Sequence, residues 1–315
     1  MAKSSGLGDN FYLGGYDLSG DVSSVDQISS PMTPIDVTPV KYSANQRIGG
    51  LRDGDLQFTS FFENAGSVSA PSFPATTVAV TSTYSWYVVA TITGGTVTNV
   101  SVNGSTVGTG DGTYVIPPLG TIAVTYTGSP AWTWTAVGTE HNALSPLPTA
   151  DTVATYFRGT TVGNAAMSIN GKQINYDFTR DNVGNLTAKV EVQANAYALD
   201  WGVMLTPGLR TDTTGTTGAY YDQGAGSAYG GQAYLQLVEF AGTSVDVKIE
   251  HCATSGGSYT SLVDFGSLTA VGAVRVALGN TATVDEFLKV VTSGTFTYAT
   301  FAVQFTQNLV AGVAF

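Results

Sequence analysis

The chain has 315 residues, of which 43% are hydrophobic and only 11% charged, with 38 glycines and a net charge of −11. That balance argues against a protein that grips nucleic acid, because gripping means neutralising phosphates with Lys and Arg, and here 12 bases stand against 23 acids. The single cysteine, Cys252, excludes an internal disulfide and any Cys-cluster zinc site; it is expected to sit in a strand as a small apolar residue.

An acidic protein can still handle DNA as a wall that repels it. Low charge, abundant Thr, Val and Tyr, and frequent Gly turns describe a β-rich chain with enough apolar residues to fill cores. The length allows two or three domains. No run of about 18 apolar residues is present, so no membrane segment is expected. Met1-Ala2-Lys3-Ser4-Ser5-Gly6 leads into polar sequence without an apolar core, so no secretory signal is expected.

In chain order, residues 1–65 carry four basic and eight acidic side chains. Within them, Gly54 to Phe62 alternates, setting Leu56, Phe58 and Ser60 on one face and Gln57, Thr59 and Phe61 on the other, as a strand does. Residues 66–138 hold no Lys or Arg, and Asp111 is their only acid. Approached through Ala70-Pro71-Ser72-Phe73-Pro74, this block reads as an inserted module. Tyr84–Thr93, Val97–Val102, Tyr114–Ile116, Thr121–Tyr126 and Trp132–Thr135 read as its strands, with Asn103-Gly104 as a hairpin turn. Regular short strands without a cysteine pair predict a small immunoglobulin-like β-sandwich.

Residues 139–211 return to five bases and six acids. Glu140-His141-Asn142-Ala143-Leu144 predicts one short helix, stopped by Pro146 and Pro148. Thr152–Phe157 and Leu186–Ala194 read as strands, with a long loop or hairpin, Gly159 to Gly184, between them. Thr211 to Gly218 reads as a flexible polar linker. Beyond it Ala233–Phe240, Val245–Glu250, Arg275–Leu278, Phe287–Val291 and Thr300–Phe305 alternate, predicting a C-terminal β-sandwich, jelly-roll-like, over 212–315.

Chemistry-bearing motifs are sparse. No phosphate-binding loop, dinucleotide fingerprint or nucleophile elbow occurs. His141 and His251 lack metal-ligand spacing, and His141 is expected at the surface or capping the helix. Asp53 and Asp55 could pair as glycosidase or calcium carboxylates, yet Asp53-Gly54 is a turn dipeptide, and a turn is the expectation. Asp181-Asn182-Val183-Gly184-Asn185 lacks the oxygen ligands of a calcium loop and reads as a loop tip. Trp86, Trp132, Trp134, Tyr220, Tyr221 and Tyr229 could stack sugars; core or interface roles are the commoner use of such rings. No catalytic, cofactor-binding or metal-ligating residue is therefore assigned, and the chain is expected not to be an enzyme.

Residues 11–65 and 139–211 resemble the major tail proteins (tail tube proteins) of long-tailed bacteriophages, of siphophage type, particularly those infecting actinobacteria. The resemblance is carried by Tyr12-Leu13-Gly14-Gly15-Tyr16-Asp17-Leu18-Ser19-Gly20-Asp21, Pro34-Ile35-Asp36-Val37-Thr38, and Ile48 to Leu56 with Phe58 to Phe62. It continues in His141 to Pro148, Tyr156-Phe157-Arg158-Gly159-Thr160, Lys172 to Asp177 and Tyr197-Ala198-Leu199-Asp200-Trp201-Gly202. It implies an all-β fold: a discontinuous tail-tube domain (1–65 and 139–211) of two antiparallel sheets with one short helix, with the C-terminal sandwich looking like the domain commonly appended in that group, whereas the inserted sandwich read above (66–138) departs from the simplest family members. It further implies a structural virion protein, synthesised in the host cytoplasm, whose hexameric rings stack into the tube that DNA crosses during ejection. An N-terminal arm, mapped onto residues 1–34, and a long loop, mapped onto Gly159–Gly184 or part of 36–52, would touch the next ring. The implied partners are a tape-measure protein in the lumen and terminator and distal tail proteins at the ends. The other role that sandwich modules suggest is a carbohydrate- or host-binding part of the virion surface.

Overall fold

The computed structural model describes residues 8–62, 68–84, 87–117, 119–136, 140–147 and 150–311, with only the backbone described at Asn142. Among the described residues the fold is all-β, with several sheets and one short helix. Among the described residues no helix is long and apolar enough to cross a membrane.

The first segment opens with β1 (Asn10–Leu13) and β2 (Tyr16–Asp17), a hairpin turned by Gly14 and Gly15, both at positive φ. Gly15 has a second reason to be glycine: a Cβ there would lie 2.5 Å from the backbone nitrogen of Gly272. Then come β3 (Val22–Ser29), β4 (Met32–Asp36), β5 (Arg47–Arg52) and β6 (Asp55–Phe61).

The charge-free block supplies β7 (Ala79–Thr81), β8 (Val88–Thr93), β9 (Thr96–Val102), β10 (Ser105–Gly108), β11 (Gly112–Ile116), β12 (Thr121–Thr127) and β13 (Ala131–Ala136). They form two sheets, ordered β10-β9-β12-β7 and β11-β8-β13. Inward residues alternate with outward ones, so Val88, Ala90, Ile92, Val100, Ile122 and Val124 close a core that also takes in Trp132 and Trp134. Asn103 and Gly104 both have positive φ, as the two-residue hairpin turn requires. Ser85 and Trp86 of the predicted first strand lie outside the described residues.

After the insertion come α1 (Glu140–Leu144), β14 (Thr152–Phe157), β15 (Ala165–Arg180), β16 (Leu186–Ala194) and β17 (Asp200–Met204). The long strand β15 serves two sheets. Its first part pairs with β14 and β17, and from Gly171 onward it pairs with β16. Gly171 sits at that corner, where a Cβ would meet the Gln193 carbonyl oxygen at 2.0 Å. The sheets β3-β6-β16-β15 and β2-β1-β14-β15 enclose Phe11, Leu13, Leu56, Phe58, Leu144, Ala154, Ile169 and Val192.

The last segment holds β18 (Arg210–Asp212), β19 (Thr217–Asp222), β20 (Gly231–Cys252), β21 (Thr260–Leu268), β22 (Gly272–Ala277) and β23 (Phe287–Gln307). Strands β20 and β23 pair along their whole length, with register shifts between Leu237 and Glu239 and on both sides of Gly242. Gly242 and, opposite Val245, Gly294 hold positive φ, and a Cβ on Gly294 would lie 2.5 Å from the Ser244 carbonyl oxygen.

Four expectations need correction. The N-terminal arm (1–34) is not free over its described part: Phe11, Tyr12, Leu13 and Leu18 are core residues and β3 is paired to β6. Burying about four large side chains, at roughly 1.5–3 kcal/mol each, outweighs keeping the segment loose. Thr211–Gly218 is not a flexible linker. β18 and β19 both pair with β23, and the Arg210 guanidinium joins the nearly buried Asp212 carboxylate (2.6 Å) and the Val290 carbonyl (2.8 Å). Ala233–Phe240 with Val245–Glu250, and Phe287–Val291 with Thr300–Phe305, are each the two ends of one strand; the register shifts break the period-two pattern, which makes them look separate. Finally, Gly159–Gly184 is mostly strand β15, with short loops at 159–164 and 181–185.

Candidate assembly surfaces

The sheet β3-β6-β16-β15 has one face on the core and one on solvent, because its strands alternate. The outer face carries Ser24, Asp26 and Gln27 from β3; Asp55, Gln57 and Thr59 from β6; Lys189, Glu191 and Gln193 from β16; and Asn175 and Asp177 from β15. Amides and hydroxyls hold its carboxylates in place. Ser24 and Thr59 donate to Asp26 (2.7 and 2.8 Å), Gln27 and Gln57 both donate to Asp55 (2.9 Å each), and Gln193 donates to Glu191 (2.8 Å). Partial burial raises the Asp55 carboxyl against the pull of Gln57, and neighbouring Glu191 and Asp53 raise it further. The result is a fixed, predominantly acidic and amide-rich sheet face.

Both lateral edges of this sheet are open among the described residues. β3 pairs only with β6, and the outer part of β15 pairs only with β16. Each edge leaves a row of backbone donors and acceptors for a strand from another chain.

A two-stranded hairpin leaves the sheet between β3 and β6. Among the described residues β4 and β5 pair with each other and with no other strand. Its apolar side chains face solvent: Met32, Ile35, Val40, Ile48 and Leu51 are all 48–105% exposed. An Asx turn braces the tip, where Thr38 donates twice to Asp36 Oδ1 and the Gln46 amide donates to Thr38 Oγ1 (2.6 Å). Exposed apolar residues on a braced hairpin are the signature of an unfilled contact.

A buried polar seam fastens β14 and β15 to β20 and β23. Gln236 donates to the Val153 carbonyl (2.8 Å) and Thr155 Oγ1 (3.1 Å), and its Oε1 accepts from the Gly15 amide (2.8 Å). Ser168 donates to Gln304 Oε1 (2.5 Å), and Gln304 donates to the Asp200 carbonyl (3.2 Å). Asp200, 2% exposed, accepts from the Tyr234 hydroxyl (2.5 Å). Burial raises its carboxyl above the ordinary value, although Tyr234, Arg275 and Arg52 pull the other way. A raised folded-state value means that ionising Asp200 costs stability progressively as pH rises through that value. Asp200→Asn keeps an acceptor for Tyr234, so its melting temperature relative to the parent is expected to climb as pH goes from acid to neutral. A pH-independent difference in calorimetry would contradict this.

The residues singled out from sequence separate clearly. Asp53 Oδ1 caps the Gly54 amide (2.8 Å) in the expected turn, while Asp55 joins the polar face. Asp181 accepts from the amides of Val183, Gly184 and Asn185, forming the expected loop tip. His141 is not simply a surface residue: it stacks among Phe62, Tyr176 and Phe178, and its Nδ1 lies 3.2 Å from the Tyr176 hydroxyl. His251 is 3.0 Å from Asp285, far along the chain from His141. Cys252 is buried at the end of β20. Trp132 and Trp134 are 8% and 5% exposed, so they are core residues and form no sugar platform; Trp86 lies outside the described residues. Tyr220 is 52% exposed and packs on Phe287. The β4–β5 hairpin and the seam glutamines escape sequence reasoning: Gln236 and Gln304 look like ordinary outward positions of alternating strands.

No protein-family model and no curated protein matches the chain. Among solved structures it is similar to the Dit protein of phage SPP1, described as a hub of the adsorption apparatus in phages infecting Gram-positive bacteria, at 8% identity and a TM-score of 0.29. That alignment covers 95% of this chain and 99% of the other. A structure of infectious bursal disease virus, Gx strain, aligns at 13% identity over 97% of this chain and 72% of the other, with a TM-score of 0.15. Likeness at these levels carries no argument about fold or role.

Proposed function

We propose that the chain is a non-enzymatic structural subunit of a phage virion, a tail tube protein whose copies form rings that stack into a conduit for DNA. The observation that carries this reading is a four-stranded sheet with an acidic, amide-rich outer face and both edges open. Strand pairing between the β3 edge of one copy and the β15 edge of the next would close a ring and satisfy the backbone groups that a monomer leaves unpaired. The ring would carry the polar face inward. Asp26, Asp55, Asp177 and Glu191 outnumber Lys172 and Lys189 along it, so DNA phosphates would be repelled rather than held.

Six copies per ring, and the tape-measure and terminal partners, come from the sequence resemblance and belong to the same proposal. So does localisation in the virion. The long loop of that resemblance corresponds best to the β4–β5 hairpin, which leaves the sheet at one end. Gold-labelled antibodies against the protein are expected to decorate the tail shaft of intact particles along its length. Label confined to the head, or to the tail tip alone, would overturn the tube assignment.

A further inference from the structure

A cavity of about 500 Å³ opens where the β1–β2 hairpin, the start of β14 and the middle of β22 meet, a size within the roughly 300–1,000 Å³ of small-ligand sites. Tyr16, Asp151, Thr152, Asn170, Tyr197 and Arg275 are on its wall. None of its lining residues belongs to β3, β6 or β16, so it stands apart from the acidic sheet face.

Arg275 is the group that needs explaining. It stands opposite Tyr234 in the β20–β22 pairing, and its Nε donates to the Tyr234 hydroxyl (3.3 Å). Its guanidinium carbon lies 3.6 Å from the centre of the Tyr197 ring, a stacking that fixes the fork. Tyr197 follows Ala196, which holds a positive φ of 64°, a conformation that alanine rarely adopts. Yet among the described residues neither terminal nitrogen of Arg275 has a hydrogen-bond partner, and Nη2 is buried. Nor does Arg275 form a salt bridge with any of them.

The acids around it are engaged elsewhere. Asp151 joins Lys172 (2.8 Å), and Asp200 reaches Arg275 only through the Tyr234 hydroxyl, which donates to it at 2.5 Å. Asp200 Oδ1 is also buried without a partner, so a plain counter-ion pair would have satisfied both orphaned atoms. The guanidinium is stacked on Tyr197 at the cavity wall instead.

A stacked guanidinium fork with free donors is a receptor for a planar oxyanion. A carboxylate suits it better than a phosphate, because Asp151 lines the same cavity and repels a second negative charge. The rest of the wall suits a ring bearing hydroxyls: Tyr16 and Tyr197 offer aromatic surface, Thr152 a hydroxyl and Asn170 a carboxamide. We propose that this cavity binds a carboxylated sugar of the hexuronic acid class, with Arg275 holding the carboxylate and Asn170 a ring hydroxyl. The site goes beyond the tube reading and does not depend on it.

The test is calorimetric binding of glucuronate to the full chain, beside glucose, inorganic phosphate and a triglutamate peptide. Glucuronate is expected to bind at least about tenfold more tightly than each of the others, because charge-assisted fork bonds are the strong ones. Arg275→Lys keeps the charge but loses the fork, and is expected to erase the preference over glucose. Asn170→Ala is expected to weaken glucuronate binding severalfold, with melting curves like the parent's showing that both variants fold. Glucose bound as tightly as glucuronate, no binding of any probe, or an unchanged preference in folded Arg275→Lys would overturn the proposal. Tighter binding of phosphate or triglutamate would give the cavity to another anion and overturn the sugar assignment as well. Should Arg275→Lys not fold, an Asn170→Ala chain that binds glucuronate as the parent does would decide against the site by itself. All of these outcomes leave ring assembly, and with it the tube reading, to be judged on its own test.

Discussion

Replacing Asp26, Asp177 and Glu191 together with lysine is expected, in the proposed tube assembly, to turn a channel wall that repels DNA into one that holds it. All three lie on the outer face of the β3-β6-β16-β15 sheet, and the change moves the chain from a net charge of −11 to −5. In the proposed ring the effect would be multiplied by the number of subunits, because every copy would present the same face to the same channel. Assembled variant tubes should retain labelled DNA at low salt and release it as salt rises, with a log–log slope of about −0.9 for each phosphate contacted. None of the three side chains is buried, so folding should survive. In particles, the same substitutions should slow or stall genome ejection. Variant tubes that bind DNA no better than the parent would mean that this face does not line the channel.

The second large effect concerns the sheet edges. Proline at alternate positions of β3, those whose amides point away from β6, removes no hydrogen bond from the isolated subunit. It does remove donors that a neighbouring copy would use. Such variants are expected to melt within about 1 kcal/mol of the parent, as surface changes usually do, yet to sediment as monomers. Proline at the intervening positions, whose amides face β6, should instead destabilise the fold, since an unpaired ladder costs about 1–3 kcal/mol per buried group. Rings that form normally from the first class of variants would rule out β3 as the closing edge.

How much of this was legible in the sequence depends on the scale of the pattern. Local alternation located β6, β9, β12, β13 and β16 well, because one buried face fixes the register of each. The Asn103-Gly104 turn and the helix at Glu140–Leu144 are likewise written in a few neighbouring residues. Long strands were not legible. The register shifts at Leu237–Glu239 and around Gly242 break the alternation without ending β20 or β23, so each strand reads as two. The polar run Thr211–Gly218 looks like a linker because its tethers, Arg210 to Val290 and Thr216 to Thr292, span about eighty residues.

The candidate surfaces divide the same way. Gln57 and Thr59 stand on the face of β6 predicted opposite Leu56 and Phe58, and Asp55 joins them there. That the same face continues through Asp26, Glu191 and Asp177 follows only from the pairing of strands that are distant in the chain. Trp132 and Trp134 show the opposite limit, since the sequence gives them rings without saying which way they point.

The most direct measurement is an electron-microscopic reconstruction of the assembly made by the purified chain. The account predicts a hollow tube whose channel wall is a continuous sheet, with β3, β6, β16 and β15 of each subunit in that order and the Asp26–Glu191 face turned inward. A globular monomer at high concentration, or an assembly whose channel is lined by some other face, would contradict it.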